Sequence, residues 1–149
     1  MTKQSEWLAL SDRCEKATGQ SYELDLALAT ALYELGGSTV NYDPATWLER
    51  NCTITGSLDA IVSVIEQELP GWAWKVGTCS VSDDAWLVPD LNCPVHGARL
   101  REQFGDAPQG SIWDEGIDID RRPPGNVALA LCQALCEAMA AVASEETGK

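Results

Sequence analysis

The chain has 149 residues, 45% of them hydrophobic, which suffices for one domain with its own core and no dependence on disulfides. Ten Lys and Arg against 23 Asp and Glu give a formal net charge of −13, which excludes wholesale binding of bulk nucleic acid, because a phosphate backbone recruits positive surfaces. No apolar run approaches the ~18 residues that span a bilayer, and the opening MTKQSEWLAL is too polar for a secretory signal, so a cytoplasmic protein with no membrane partner is expected.

In chain order, Trp7, Leu10, Cys14 and Ala17 recur at spacings of three and four and predict an amphipathic helix over residues 3–18, closed by Gly19. Ser21 then caps a second helix whose stripe is Leu24, Leu28, Ala31, Leu32 and Leu35, stopped by Gly36 and Gly37. Residues 38–56 mix turn formers with Tyr42 and Trp47 and read as a loop with one brief edge strand in CTIT. Ser57 caps the next helix, LDAIVSVIEQEL, in which Leu58, Ile61, Ile65 and Leu69 share a face and which Pro70 and Gly71 end.

At GWAWKVGTCSVSDDAWLV the period changes from 3.6 to 2. Trp72, Trp74 and Val76 point one way and Ala73, Lys75 and Gly77 the other, and AWLVP supplies the partner strand of an antiparallel hairpin. Residues 90–122 form an insert rich in Gly, Pro and charge, with one strand in IWDEGIDID. Asn126 caps a closing helix that is apolar almost all round apart from Gln133 and Glu137, a pattern that predicts burial on more than one side, and the tail SEETGK is expected to fray. Helices before and after a small sheet, without βαβ alternation, predict an α+β fold in one domain, residues 1–149, with a small antiparallel β-sheet sandwiched between helices in α/β/α layers.

Three segments carry a family resemblance: CEKATGQSYELDLALATAL (14–32), ITGSLDAIVSVIEQELPGWAWKVG (54–77) and RRPPGNVALALCQALCEAM (121–139). In this order they resemble the opening, the core helix with its tryptophan-rich strand, and the closing helix of the phage ABA sandwich domain, a family of small proteins encoded by phages and prophages. The resemblance implies the layered fold and a phage or prophage protein acting in the cytoplasm of a bacterial host; it implies no activity. The sequence departs from the family in its long insert at 90–122 and in lacking a tryptophan–proline opening after the second helix.

Several clusters could bind. Arg99, Arg101, Arg121, Arg122 and Lys75 make half of all the cations, and arginine clamps phosphate with two parallel hydrogen bonds, although salt bridges to Asp114, Glu115, Asp118 and Asp120 also explain them. RRPPGN before a helix start would add free N–H groups and a helix dipole to an anion site. Trp113, Trp47 and Tyr42, in loop-like surroundings, are the aromatics suited to stacking on a base, whereas Trp72 and Trp74 read as sheet packing. His96 with Cys93, and Cys132 with Cys136, have zinc-ligand chemistry, yet the last two fit an apolar helix unaided, and no cofactor is expected. Asp118 and Asp120 alternate onto one side of a strand and could hold magnesium.

The resulting expectation is a non-enzymatic binding protein that sequesters a nucleotide-derived host immune signal, as a homo-oligomer. The alternatives are an acidic protein-interaction or virion-accessory factor that engages a basic host protein, and a metal-dependent phosphohydrolase.

Overall fold

The computed structural model describes residues 2–36, 39–51, 53–104, 116–122 and 124–147. The fold is α+β, as expected. Helices α1 (Lys3–Lys16), α2 (Tyr22–Leu35), α3 (Pro44–Asn51) and α4 (Leu58–Glu68) precede the hairpin β1 (Trp72–Thr78) and β2 (Asp83–Pro89). Helix α5 (Gly97–Phe104), strand β3 (Ile117–Arg121) and the long α6 (Val127–Thr147) follow. No helix among the described residues is long and apolar enough to cross a membrane.

Helix α6 is the axis of the core. Leu129, Leu131, Cys132, Leu135 and Cys136 are all fully buried, because α1 and α4 pack on this helix and the sheet also lies against it. A helix sequestered on several sides needs no polar stripe, which is why its sequence is apolar nearly all round. Its helical span is Val127–Thr147.

The three strands form an antiparallel sheet in the order β1-β2-β3. Register sets its two faces. Trp74, Leu87 and Ile117 stand in one row facing α6, Val76, Ala85 and Ile119 in the next, and Thr78, Asp83 and Arg121 in a polar last row. Trp72 and Trp74 are partly buried and pack against the main core, so the tryptophan stretch serves as packing surface. On the opposite face Lys75, Trp86 and Asp118 are cross-strand neighbours. Val88, Leu91 and Leu100 are buried outside the main core cluster, with α5 set against the start of β1. A Cβ at residue 71 would lie 2.5 Å from the His96 Cβ, and Gly71 has φ +90°, so both space and backbone favour glycine there.

Four local expectations are corrected. Helix α1 ends at Lys16, with Ala17 extended, rather than running on to a Gly19 terminus. Residues 44–51 form a helix: Asp43 Oδ2 accepts from the Thr46 N–H at 3.1 Å and from the Thr46 hydroxyl at 2.9 Å, Pro44 opens the first turn, and Trp47 and Leu48 are buried. Residues 53–55 of the expected edge strand CTIT form a bend and turn instead, because the buried Asp25 carboxylate accepts from Ile54 N–H at 2.9 Å, Thr55 N–H at 2.7 Å and the Thr53 hydroxyl at 2.7 Å; Cys52 lies outside the described residues. Within the insert, residues 97–104 are helical rather than irregular.

Candidate functional site

The segment RRPPGN, expected to clamp a phosphate, is tied into the fold on both sides. Arg121 leaves the end of β3 and donates to the carbonyls of Cys14 at 2.6 Å, Glu15 at 3.2 Å and Ala17 at 2.7 Å. These are carbonyls at the end of α1, where the helix leaves acceptors unpaired and carries partial negative charge. The α6 N-terminus does bind an anion, and that anion is internal. Asp83 Oδ2 accepts from the N–H groups of Gly125 and Asn126 at 2.7 Å each, while Oδ1 accepts from the Thr78 hydroxyl at 2.7 Å. Asn126 completes the cap: its Oδ1 accepts from Leu129 N–H at 3.0 Å and its amide donates to the Thr55 carbonyl at 2.9 Å. Burial works to raise the Asp83 pKa, but the bonds from Thr78, Gly125 and Asn126 and the nearby Arg121 charge outweigh it and hold it below the ordinary value.

Arg122 is exposed and paired with Asp120 at 3.2 Å. With Lys16, Arg121, Gly125 and Asn126 it lines a cleft of about 480 Å³ beside the start of α6.

The other expected binding residues are dispersed. Arg99 donates to the Pro70 carbonyl at 2.9 Å and Arg101 to the Leu91 carbonyl at 2.6 Å, fastening α5 to the open end of the hairpin, where His96 backs Gly71. Lys75 sits over the Trp86 ring, 5.9 Å from its centroid, on the sheet face away from α6. Trp47 is only 7% exposed, in α3, and Tyr42 lies half-buried under the Arg50 guanidinium, 5.5 Å away. Trp113, like Asp114 and Glu115, lies outside the described residues. The structure therefore brings Arg121 and Arg122 together, and sets Arg99, Arg101 and His96 along one segment. It does not join these two groups to each other or to Trp47, Tyr42 and Lys75.

Cys14, Cys132 and Cys136 are fully buried. Burial pushes the Cys132 thiol up, and a hydrogen bond with Cys14 together with burial does the same for Cys136. Among the described residues no group of three or more His, Cys, Asp or Glu is placed to hold a metal ion. Cys79, exposed in the hairpin turn, is the opposite case: N–H groups of Val81 and Ser82 and the Ser82 hydroxyl favour its thiolate and lower its pKa. Iodoacetamide at neutral pH is accordingly expected to alkylate Cys79 first and to reach Cys14, Cys132 and Cys136 only after denaturation. Peptide mapping reads this out, and fast labelling of any of the buried three in the folded protein would contradict their placement.

Sequence reasoning passed over a groove between α1 and α2, of about 470 Å³. Leu10, Leu26, Ala27 and Ala31 supply apolar lining, and Glu6, Glu23 and Glu34 line it as well, with Arg13 the one cation. Leu8 of α1 and Tyr22 and Tyr33 of α2 are about half exposed or more on the same two helices. The signal was present in YELDLALATALYEL. Leu26, Ala27 and Thr30 lie beside the stripe of Leu24, Leu28 and Leu32, so the helix is apolar over more than one packing face requires. Comparison of the chain with protein-family models, with curated proteins and with solved structures finds no match.

Proposed function

We propose that the chain is a non-enzymatic binding protein whose working surface is the α1–α2 groove, and that its partner is a protein presenting a basic amphipathic helix. The observation that carries this is the groove itself, with apolar lining and three glutamates between α1 and α2. An amphipathic helix lays its apolar face into such a groove, and flanking Lys or Arg would meet Glu6, Glu23 and Glu34. The net charge of −13 would speed the encounter with a basic partner. The phage origin implied by the family resemblance fits this reading, with a host protein as the partner.

Titration with a synthetic helical peptide carrying leucines on one face and lysines beside it tests the proposal. Amide NMR shifts should concentrate at Leu10, Leu26, Ala27 and Ala31. Replacing Glu6, Glu23 and Glu34 together by Gln should weaken binding about tenfold, since three rim charges at about 0.5 kcal/mol each sum to roughly one decade. Shifts located elsewhere, or an affinity indifferent to the triple replacement, would overturn it.

A second reading, sequestration of a nucleotide-derived signal, is favoured by the cleft that Lys16, Arg121 and Arg122 line. Its competing demand is that Arg121 and the first α6 amides already serve internal partners. Calorimetry with cyclic oligonucleotides and ADP-ribose derivatives separates the two. Binding that Arg122→Ala abolishes supports sequestration, and no heat from any of them removes it.

A further inference from the structure

The two edges of the sheet are protected unequally. Strand β3 is short, carries Asp118 and Asp120 exposed along it, and ends in Arg121, which is anchored on α1. Short length and charge are how an edge strand resists pairing with another chain. Strand β1 is longer and runs in unbroken register with β2, from Trp72 opposite Pro89 to Thr78 opposite Asp83, with neither a bulge nor an internal proline. Among the described residues its substantial contacts are with β2 and α6, and α6 lies on the face of the sheet, so none of them runs along the outer edge.

The hydrogen-bond pattern fixes which backbone groups that edge presents. The Gly71 carbonyl accepts from Asp90 N–H at 3.0 Å at one end of the hairpin, and Cys79 N–H donates to the Ser82 carbonyl at 3.0 Å at the other. In an antiparallel pair the bonded residues alternate, so Ala73, Lys75 and Gly77 turn their backbone groups to β2, and Trp74 and Val76 turn theirs outward. Neither Trp74 nor Val76 makes a backbone bond on that side among the described residues. The same two residues are incompletely covered. Their side chains are only partly buried, whereas Leu87 and Ala85, their neighbours in the same two rows, are fully buried. Lys75 does not guard the edge, since it stands on the other face over Trp86.

Charge selects the occupant. From Leu69 to Ser82 the chain has no Asp or Glu, although it carries 23 of them in all, so this edge is where two copies of an acidic protein approach with least repulsion. A strand that pairs antiparallel with its own copy does so across a two-fold axis. Centred on Trp74, the axis sets Trp74 against Trp74 of the second copy and Trp72 against Val76, core-side residue beside core-side residue. It also keeps Lys75 opposite Ala73 rather than opposite another Lys75. Cross-strand aromatic and aromatic–β-branched pairs of this kind stabilise a sheet. We propose that β1 pairs in this way with β1 of a second copy, so that two three-stranded sheets become one continuous sheet. The interface shares no residue with the α1–α2 groove, so the failure of either proposal leaves the other standing.

Sedimentation velocity of the whole chain from about 1 μM to about 1 mM tests this. A monomer–dimer equilibrium is expected, and raising the salt from about 0.05 M to about 0.5 M should tighten it, because screening relieves the repulsion between two chains of net charge −13. Amide exchange locates the interface. The Trp74 and Val76 amides should gain protection as the dimer forms, while those of Ala73, Lys75 and Gly77 are protected throughout. Val76→Pro removes an outward N–H that the monomer does not use, so it should keep the fold and weaken the dimer about tenfold or more. Exchange on the unaltered chain decides the matter whether or not that variant folds. A chain still monomeric at about 1 mM, a dimer in which the Trp74 and Val76 amides stay unprotected, or a dimer untouched by a folded Val76→Pro would each overturn the proposal. So would protection that arises only when an extended peptide is added, which would make a peptide the occupant of the edge.

Discussion

Replacing Asp83 by alanine is expected to lower the unfolding free energy by about 3 kcal/mol, because one buried carboxylate accepts three hydrogen bonds and charged bonds of this kind contribute about 1.5–3 kcal/mol each without adding fully. Asp83 is 2% exposed, and its bonds join β2 to β1 through Thr78 and to the start of α6 through Gly125 and Asn126. Urea denaturation checks the magnitude. Asp83→Asn should fall between wild type and alanine, since an amide oxygen can still accept but carries no charge for the helix terminus.

The same residue predicts a pH dependence. Its native pKa lies below the ordinary value of 3.8, so the unfolded chain takes up the proton first as the pH falls. The contribution is complete above the unfolded pKa and disappears as pH drops through the native one. The stability gap between wild type and Asp83→Asn should therefore be widest near neutrality and narrow in acid below about pH 4. A gap that stays constant into acid would show that the carboxylate charge plays no part.

Arg121→Ala should cost about 2–3 kcal/mol, through loss of a charged donor to three carbonyls at the end of α1. The effect should be local as well as global: amide exchange in the last turn of α1 should accelerate before that of α2 or α4. Arg121→Lys should restore only part of it, because a single ammonium cannot reproduce the fork that reaches the Cys14 and Ala17 carbonyls together. If Arg121 acted mainly on an external phosphate, alanine would leave stability intact and remove binding alone. Thermal denaturation without ligand distinguishes the two.

Much of the secondary structure was legible because its signals are local. Ser21, Ser57 and Asn126 each cap the helix they were expected to cap, accepting from Leu24, Ala60 and Leu129 N–H groups. The alternation of Trp72, Trp74 and Val76 predicted the strand and the face it buries. Helix α3 was also written locally, in Asp43 and Pro44, but eight residues carry too little periodicity to outweigh the turn formers around them. The apparent strand CTIT failed for the opposite reason: its β propensity is overruled by Asp25, a residue 28 positions earlier in the chain in its bond to Thr53.

The candidate site was less legible than the fold. Arg121 and Arg122 are identical neighbours in sequence, yet one guanidinium reaches across to α1 while the other is exposed beside Asp120. Nothing in RRPPGN distinguishes them, since the difference lies in where α1 ends. Likewise RRPPGN before α6 signals N–H groups able to take an anion, but no local rule could show that Asp83, from β2, occupies those of Gly125 and Asn126. The α1–α2 groove required the packing of two helices whose separate stripes only hinted at excess apolar surface.

By itself the sequence determined the α+β class, three helix caps, the buried character of the last helix and the packing face of the tryptophan strand, because each follows from periodicity or from contacts within a few residues. Only the tertiary structure decided which charged groups are spent on the fold and which face outward. Asp25 meets Thr53 across 28 positions of chain, Asp83 meets Gly125 across 42 and Arg121 meets the Cys14 carbonyl across 107, and a charge buried at such a distance is satisfied by whatever backbone the packing delivers to it, which no short-range pattern encodes.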